Sequence, residues 1–339
     1  MSTPTAVFLD TSVLAGQQYN FASTALSTFI PVVQKVGLKF LLPDPTEREV
    51  RRQIRERSRE ALDALDNARK RAPFLAKWRG FPSSTSEGID SWEVTTVAVR
   101  EWNSFLANFD LVKIGYEGLD VKLVMDWYDQ VRAPFGAGKK RKEFPDAFAI
   151  AILAAYATKH GCFIAVVSED RDFKLACERY PNLLHFQSLP RLTELLLSEE
   201  DSLAKYHIAI EAKLDELSTA IMEQMEIVHF YHADRSFEIR DTDLSFPTVQ
   251  EINVVAIGDN ECTITFEAEF DSEHELEWVE DNGPDDYPDT IRRHVSETFS
   301  LAGSAKMRFD PKTNEMAEIT YVSIDDEEFC VSRTPRGYW

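Results

Sequence analysis

The chain has 339 residues, more than the roughly 100–200 of a typical domain, and 44% of them are hydrophobic. This composition supports folded cores and excludes a disordered chain. The net charge of -21 is unevenly placed, because residues 1–200 hold 26 basic and 26 acidic side chains whereas residues 201–339 hold 11 and 32. The asymmetry predicts two domains with different tasks.

The first 200 residues alternate short apolar runs with helical patterns. The apolar runs predict buried parallel strands over 6–9, 39–42, 163–167 and 183–186. Helices are predicted between them, over 46–71, 91–109, 119–131 and 145–159. Loops are predicted over 82–90 and 132–143. The alternation indicates an α/β domain with a parallel sheet over residues 1–190, carrying a helical insertion at about 72–140.

The pattern changes in the second part of the chain. Residues 191–225 are predicted to form a helical connector, and residues 226–339 a smaller, acidic, β-rich domain. In Cys262–Phe270 every second side chain is apolar, which is typical of a half-buried antiparallel strand. Further strands are predicted near 227–232, 236–240, 250–257, 306–309, 317–324 and 328–333.

The cysteine pattern and hydropathy indicate a cytoplasmic protein that does not enter membranes. The four cysteines form no C-x-x-C pair and have no zinc-ligand spacing, so we expect them to be reduced, buried thiols. No basic segment precedes the first apolar run, so no signal peptide is expected. The longest apolar stretch is well short of the roughly 20 residues that span a bilayer.

Carboxylates follow the predicted strands at the points where they end. Asp10 comes directly after 6–9, Asp170 and Asp172 follow 163–167, and Glu49 lies early in the helix after 39–42. Asp146 occupies the first turn of another helix. Because ligand sites of parallel sheets lie at the carboxyl ends of the strands, we expect these side chains to converge. Clustered carboxylates repel one another unless a hard divalent cation lies between them. Cations held in this way can activate a water molecule for the hydrolysis of phosphodiesters.

Each acid also has a purely structural interpretation. Asp10, Asp170 and Asp172 could cap helices, and Asp146 could simply favour a helix dipole. Glu47 competes with Glu49 for the metal-binding role, since the two point to different faces of one helix. Another enzyme class, the haloacid-dehalogenase-type phosphatases, requires Asp-x-Asp after the first strand, and the Asp10-Thr11-Ser12 sequence argues against it.

Four short motifs occur in the order found in one nuclease family. They are Phe8-Leu9-Asp10-Thr11-Ser12, the helix start from Pro43 to Glu49-Val50, Phe144-Pro145-Asp146-Ala147, and Val167-Ser168-Glu169-Asp170-Arg171-Asp172-Phe173. Over residues 5–190 the chain resembles the PIN-domain nucleases, and it looks like a bacterial PIN-like subfamily with a β-rich C-terminal extension. The resemblance implies a three-layer sandwich around a central parallel sheet.

The same resemblance implies roles for individual residues. The core ligands for Mg²⁺ or Mn²⁺ would be Asp10, Glu49, Asp146 and Asp170, with Asp172 as a fifth carboxylate. Supporting roles would fall to Thr11, Ser12 and Ser168. Glu49 is chosen over Glu47 because it precedes Val50, as the family's acidic residue usually precedes an aliphatic one.

A basic strip precedes the Asp146 motif. It consists of Lys139, Lys140, Arg141 and Lys142, and Arg52 lies near Glu49 on another helix. The strip lacks the spacing of a nucleotide-binding P-loop, so we interpret it, with Arg52, as a contact for a nucleic-acid backbone. The competing interpretation is an ordinary solvated loop.

The expected function is a metal-dependent endoribonuclease that leaves 5′-phosphate and 3′-hydroxyl ends, in a setting such as a toxin or phage-defence system. Two alternatives stay open: a DNA nuclease acting on flaps or single strands, and a binding scaffold that has lost catalysis. The acidic domain carries the excess negative charge and is not expected to bind nucleic acid. It would restrain the basic strip, bind a basic regulatory protein, form a homo-oligomer contact, or serve only as a structural module.

Overall fold

The computed structural model describes residues 3–77, 91–136, 143–198, 203–280, 289–310 and 315–335. The chain divides into two compact units, Met1–Leu192 and Thr193–Trp339. Each unit has hydrophobic clusters of its own.

The first unit is built on a five-stranded sheet in which every pair of neighbours is parallel, in the order β3-β2-β1-β4-β5. Its strands are β1 Ala6–Leu9, β2 Lys39–Pro43, β3 Asp110–Ile114, β4 Ile164–Val167 and β5 Leu183–Phe186. All residues of β1 and β4 are buried, as expected for central strands of a parallel sheet. The predicted α/β class with a central parallel sheet is confirmed.

Helices flank this sheet. They are α1 Thr11–Gly16, α2 Thr24–Val36, α3 Asp44–Arg71, α4 Ser91–Leu106, α5 Val121–Asp129, α6 Phe144–His160 and α7 Arg171–Cys177, with a 3-10 helix at Pro73–Lys77. Helix α8, Leu189–Leu197, contains the boundary between the two units. Helix α6 begins with Pro145 in its first turn, where a missing N–H costs nothing, and it ends at Gly161 with φ of 59°. Much of its length is buried against the sheet core.

The segment predicted as a helical insertion, at about 72–140, also supplies a strand. The segment contains β3, which pairs with β2 and forms one edge of the sheet. Its five residues are partly buried or exposed, so it lacks the continuous apolar run by which the other parallel strands were recognised.

The second unit contains a five-stranded antiparallel sheet. Strands β11, β10, β9 and β7 lie side by side, and β8 also pairs with β9. A separate parallel pair joins β12 to β6. The strands are β6 His229–His232, β7 Glu238–Leu244, β8 Thr248–Ile257, β9 Glu261–Glu280, β10 Asp289–Phe309, β11 Met316–Ile324 and β12 Glu328–Val331. The predicted β-rich C-terminal region is confirmed.

The segment predicted as a helical connector holds α9 Leu203–Glu211 and α10 Leu214–Gln224, followed by a 3-10 helix at Met225–Ile227. Side chains from both helices are buried in the same cluster as the inner face of the sheet. This part of the chain therefore contributes core residues to the second unit.

Two strands are much longer than the sequence indicated. Strand β9 has 20 residues and β10 has 21, whereas only 262–270 and 306–309 were predicted. The period of two in fact continues through Leu276 and Trp278, but Ser272 and His274 interrupt its apolar side. Both polar side chains are buried, so a search for alternating apolar residues stops too early.

The cysteines meet the expectation of buried thiols only in part. All four cysteines are free, and Cys177 and Cys262 are buried, but Cys330 is exposed and is not the core thiol predicted. Within the described part of the chain, no helix is both long enough and apolar enough to cross a bilayer.

Candidate active site

The candidate site lies between β1 and β4, where the order in which strands are added to the sheet reverses. Chain connectivity runs from β1 outward to β2 and β3 on one side, and β4 and β5 lie on the other. Crevices at the carboxyl ends of strands beside such a switch are the usual ligand sites of open α/β sheets. Asp10 follows β1, and Ser168 follows its neighbour β4. The Asp10 N–H donates to the Val167 carbonyl at 2.9 Å, which fixes the two strand ends together.

Asp10 is held by three donors. Its Oδ1 accepts a hydrogen bond from the Thr11 N–H at 2.8 Å, and its Oδ2 accepts from the hydroxyls of Ser12 at 2.6 Å and Ser168 at 2.9 Å. The residue is only 6% exposed. Asp10 also stands at the N-cap position of α1, so the capping interpretation holds for its backbone conformation. Capping uses Oδ1, whereas Ser12 and Ser168 orient Oδ2.

Ser168 joins Asp10 to the next predicted acid. Its Oγ accepts a hydrogen bond from the Asp170 N–H at 3.2 Å, and its carbonyl lies 2.9 Å from Nε2 of His185. Asp170 caps α7 by accepting from the Asp172 N–H at 2.7 Å, and Asp172 lies in the first turn of that helix. Ser168 therefore places the Asp170 backbone next to Asp10, while the metal-binding roles of Asp170 and Asp172 stay predictions.

Glu47 and Glu49 occupy different environments on α3. Glu47 accepts hydrogen bonds from Lys113 of β3 at 2.8 Å and from Arg51 at 3.0 Å. Although burial opposes the change, these two cations lower the pKa of Glu47. Burial raises the pKa of Glu49, against a hydrogen bond from Gln53, and the nearby charge of Asp10 adds to the increase. Glu47 is thus neutralised by partners, whereas Glu49 faces another acid.

Asp146 lies in the first turn of α6 among further negative charges. Burial, followed by the charges of Asp10, Glu49 and Glu143, raises the pKa of Asp146 to about 8, and a hydrogen bond with Glu143 contributes. Because each of these acids contributes to the shift, the structure brings Asp10, Glu49, Glu143 and Asp146 into one electrostatic neighbourhood.

The donor set fits a hard divalent cation. It consists of carboxylate oxygens, and among the described residues no lysine or arginine forms an ion pair with Asp10 or Asp146. Within the same described ranges, no three His, Cys, Asp or Glu side chains converge into a ready-made cage. Mg²⁺ suits such an open arrangement, since it keeps several waters and takes only one or two carboxylates directly.

The predicted nucleic-acid contacts are placed only in part. Arg52 is well exposed, and its Nη2 lies 3.7 Å from Oε1 of Glu49. A guanidinium group therefore lies at the edge of the acidic cluster. Lys139, Lys140, Arg141 and Lys142 lie outside the described residues.

Glu143 was predicted to lie in the loop over 132–143, and it is the N-cap residue of α6, three positions before Asp146. Two other residues of this neighbourhood were missed from the sequence. Tyr19 and Gln53 reach Glu49 through hydrogen bonds. Nothing in the sequence brings Tyr19 toward α3, because its position depends on two consecutive left-handed backbone residues, Gln18 and Tyr19.

Comparison with known families supports the assignment of the fold. Residues 7–173 match the family model of the PIN domain, a range that includes β1, α3, α6, β4 and the start of α7. No curated protein matches the chain. PIN domains are generally nucleases that use divalent metals. The N-terminal unit of this chain therefore belongs to the PIN-domain family.

Proposed function

We propose that the protein is a divalent-metal-dependent nuclease that hydrolyses phosphodiester bonds in RNA. The observation that carries the proposal is the group of acids around Asp10, near the carboxyl ends of β1 and β4. Among the described residues, no lysine or arginine forms an ion pair with Asp10 or Asp146. A cation is the usual compensation for such a group. A nuclease fold together with an acidic crevice of this kind favours phosphodiester hydrolysis.

The proposed ligands for Mg²⁺ or Mn²⁺, bound directly or through water, are Asp10, Glu49, Asp146 and Asp170, with Asp172 as a fifth carboxylate. When bound, such a cation offsets the charge of the phosphate and makes a water molecule a better nucleophile. The protein's own part is to hold the acids in place: Ser12 and Ser168 fix Oδ2 of Asp10. No amino-acid nucleophile is required.

Protonation of Asp146 reduces the electrostatic repulsion among the clustered acids when no cation is bound. With its pKa raised to about 8 by burial and by the neighbouring acids, the Asp146 carboxyl retains a proton near neutral pH. In the metal-loaded protein, Asp146 would be ionised and would be one of the groups that hold the cation. The same group thus moderates repulsion in the free protein and supplies charge in the loaded one.

Outside the acidic cluster, basic side chains would bind the substrate. Arg52 stands beside Glu49 with most of its side chain exposed, which suits contact with a phosphate oxygen. We include Lys139, Lys140, Arg141 and Lys142 in this role on the basis of their sequence alone.

The test uses the full-length protein with labelled single-stranded RNA and single-stranded DNA, each with Mg²⁺, Mn²⁺ or EDTA. The double variant Asp10→Asn/Asp146→Asn is compared with a matched control, Asp126→Asn/Asp129→Asn, which alters two exposed acids of α5. We expect metal-dependent RNA cleavage by the wild type and the control, and none by the double variant. Cleavage that survives in the double variant contradicts the site, and preferential DNA cleavage contradicts the substrate.

A further inference from the structure

A chain of hydrogen bonds reaches Glu49 from outside the acidic cluster. The Tyr19 hydroxyl donates to Oε1 of Gln53, and Nε2 of Gln53 donates to Oε1 of Glu49 at 2.9 Å. Gln53 lies one turn after Glu49 on α3, and Tyr19 comes from the segment that follows α1. All three side chains are half-buried.

The chemistry of the three groups permits one direction only. An ionised carboxylate can only accept, so the amide nitrogen of Gln53 must face Glu49. The amide oxygen then faces Tyr19, whose hydroxyl must donate to it. Burial raises the pKa of Tyr19 to about 12, which keeps that proton in place. Tyr19 therefore fixes the orientation of the Gln53 amide.

The backbone and a neighbouring cation hold Tyr19 in this position. Gln18 and Tyr19 have φ of 50° and 58°, a left-handed conformation that is unfavourable for residues other than glycine. It closes the end of α1, where the Tyr19 N–H donates to the Leu14 carbonyl at 2.9 Å. The Arg57 guanidinium lies 5.2 Å from the centre of the Tyr19 ring, within the range of a cation–π contact.

The two oxygens of Glu49 are used unequally. Oε1 receives the Gln53 amide and lies 3.7 Å from Nη2 of Arg52. Within the described residues, no hydrogen bond or ion pair involves Oε2 of Glu49. One oxygen is thus anchored, and the other is available to a cation.

We propose that Tyr19 and Gln53 are positioning residues that anchor Oε1 of Glu49, so that Oε2 is presented to the divalent cation. This inference rests on the proposed function, because it assigns Glu49 to the metal site. Partners that orient a metal ligand in this way commonly contribute 10–100-fold to metal affinity.

The test measures Mn²⁺ affinity by calorimetry on the full-length protein without nucleic acid. The variants are Tyr19→Phe, which keeps the ring beside Arg57, Gln53→Leu, the combination of the two, Glu49→Gln, and Glu49→Gln/Tyr19→Phe. Matched controls are Tyr156→Phe on α6 and Gln34→Leu on α2, whose amide donates to the Asn108 carbonyl. Thermal unfolding in EDTA verifies that each variant is folded, and Tyr19→Phe carries the test if Gln53→Leu does not fold.

We expect Tyr19→Phe and Gln53→Leu each to weaken Mn²⁺ binding by about 10-fold. The double variant should bind Mn²⁺ no more weakly than the single variant with the lower affinity. In the Glu49→Gln background, Tyr19→Phe should have no further effect. Affinities equal to those of the controls, or losses that persist without Glu49, would overturn the inference while leaving the metal site intact. A wild-type protein that binds no Mn²⁺ would overturn the proposed function itself.

Discussion

The hydroxyl of Ser168 donates a 2.9 Å hydrogen bond to Oδ2 of Asp10, a residue 158 positions earlier in the chain. The Oγ of Ser168 also accepts a hydrogen bond from the Asp170 N–H at 3.2 Å. One buried hydroxyl therefore links the acids that follow β1 and β4. We expect Ser168→Ala to lower the cleavage rate by about 10-fold, as outer partners of metal ligands commonly do.

The Ser168→Ala change should also lower the free energy of unfolding by about 1–2 kcal/mol, because the partly buried Asp170 N–H loses its acceptor. Initial rates on labelled RNA and urea unfolding measure the two effects. Ser58→Ala is the control, since Ser58 is also buried and its hydroxyl donates to the Ile54 carbonyl of its own helix, α3. Unchanged cleavage by the Ser168 variant would show that Asp10 needs no second hydroxyl.

The pKa of Asp146 predicts how stability depends on pH when no metal is present. Between the ordinary carboxyl pKa of 3.8 and the raised value of about 8, the folded protein holds a proton that the unfolded chain has released. The corresponding stability is fully present below the lower value and is lost as the pH rises through the upper one. In EDTA the free energy of unfolding should therefore fall with rising pH, by at most about 1.4 kcal/mol per unit.

Chemical unfolding in EDTA from about pH 5 to about pH 8 measures this slope, and Asp146→Asn should flatten it. At the upper pH the Asn variant should match or exceed the wild type in stability, and Mg²⁺ should stabilise only the wild type. Asp120→Asn serves as the control, because Asp120 caps α5 through the Leu123 N–H and Asn is an equally good cap. Equal slopes for the wild type and Asp146→Asn would contradict the prediction.

The two acids at the start of α3 should behave differently when neutralised. Glu49→Gln should lower the cleavage rate by at least about 100-fold, more than the loss of an outer partner usually costs. Glu47→Gln should leave the rate within about threefold and remove about 0.5–1 kcal/mol of stability, because it breaks ion pairs with Lys113 and Arg51 that are partly exposed. Parallel rate and unfolding measurements decide between them, and the reverse order would assign the metal to Glu47.

Arg52 should contribute to substrate binding through charge. Arg52→Ala is expected to raise KM several-fold with little change in kcat, and to reduce the salt dependence of binding by about one unit of slope. Fluorescence titration of RNA at several salt concentrations provides the measurement. Arg48→Ala is the matched control, since Arg48 is exposed but already paired with Asp44 at 2.7 Å. Equal slopes for the two variants would remove Arg52 from the interface.

The sequence predicted best those features that depend on local patterns. Strands β1 and β4 are continuous apolar runs, and the acids Asp10 and Asp170 stand directly after them. A parallel sheet then brings strand ends together, so the meeting of Asp10 with the Ser168 loop followed from the α/β pattern. The family match over residues 7–173 supports the same assignment of the fold.

What the sequence did not predict depends on contacts between distant segments. The edge strand β3 has no continuous apolar run, and its Lys113 reaches Glu47 only because β3 lies beside β2. The Tyr19 contact with Gln53 needs a left-handed turn that neither residue type signals. Such features follow from tertiary packing, which residue spacing does not encode.

The buried polar residues of β9 have a consequence for how that long strand selects its partners. His274 is hydrogen-bonded on both ring nitrogens, to Ser272 at 2.8 Å and to Thr242 of β7 at 2.9 Å, between apolar clusters that lie on either side along β9. A slip of two residues would preserve the alternation of faces, so apolar matching alone discriminates weakly against it. It would, however, separate His274 from Thr242 and leave a buried ring nitrogen unpaired. The hydrogen bond between His274 and Thr242 thus fixes the register of the 20-residue strand β9 against β7.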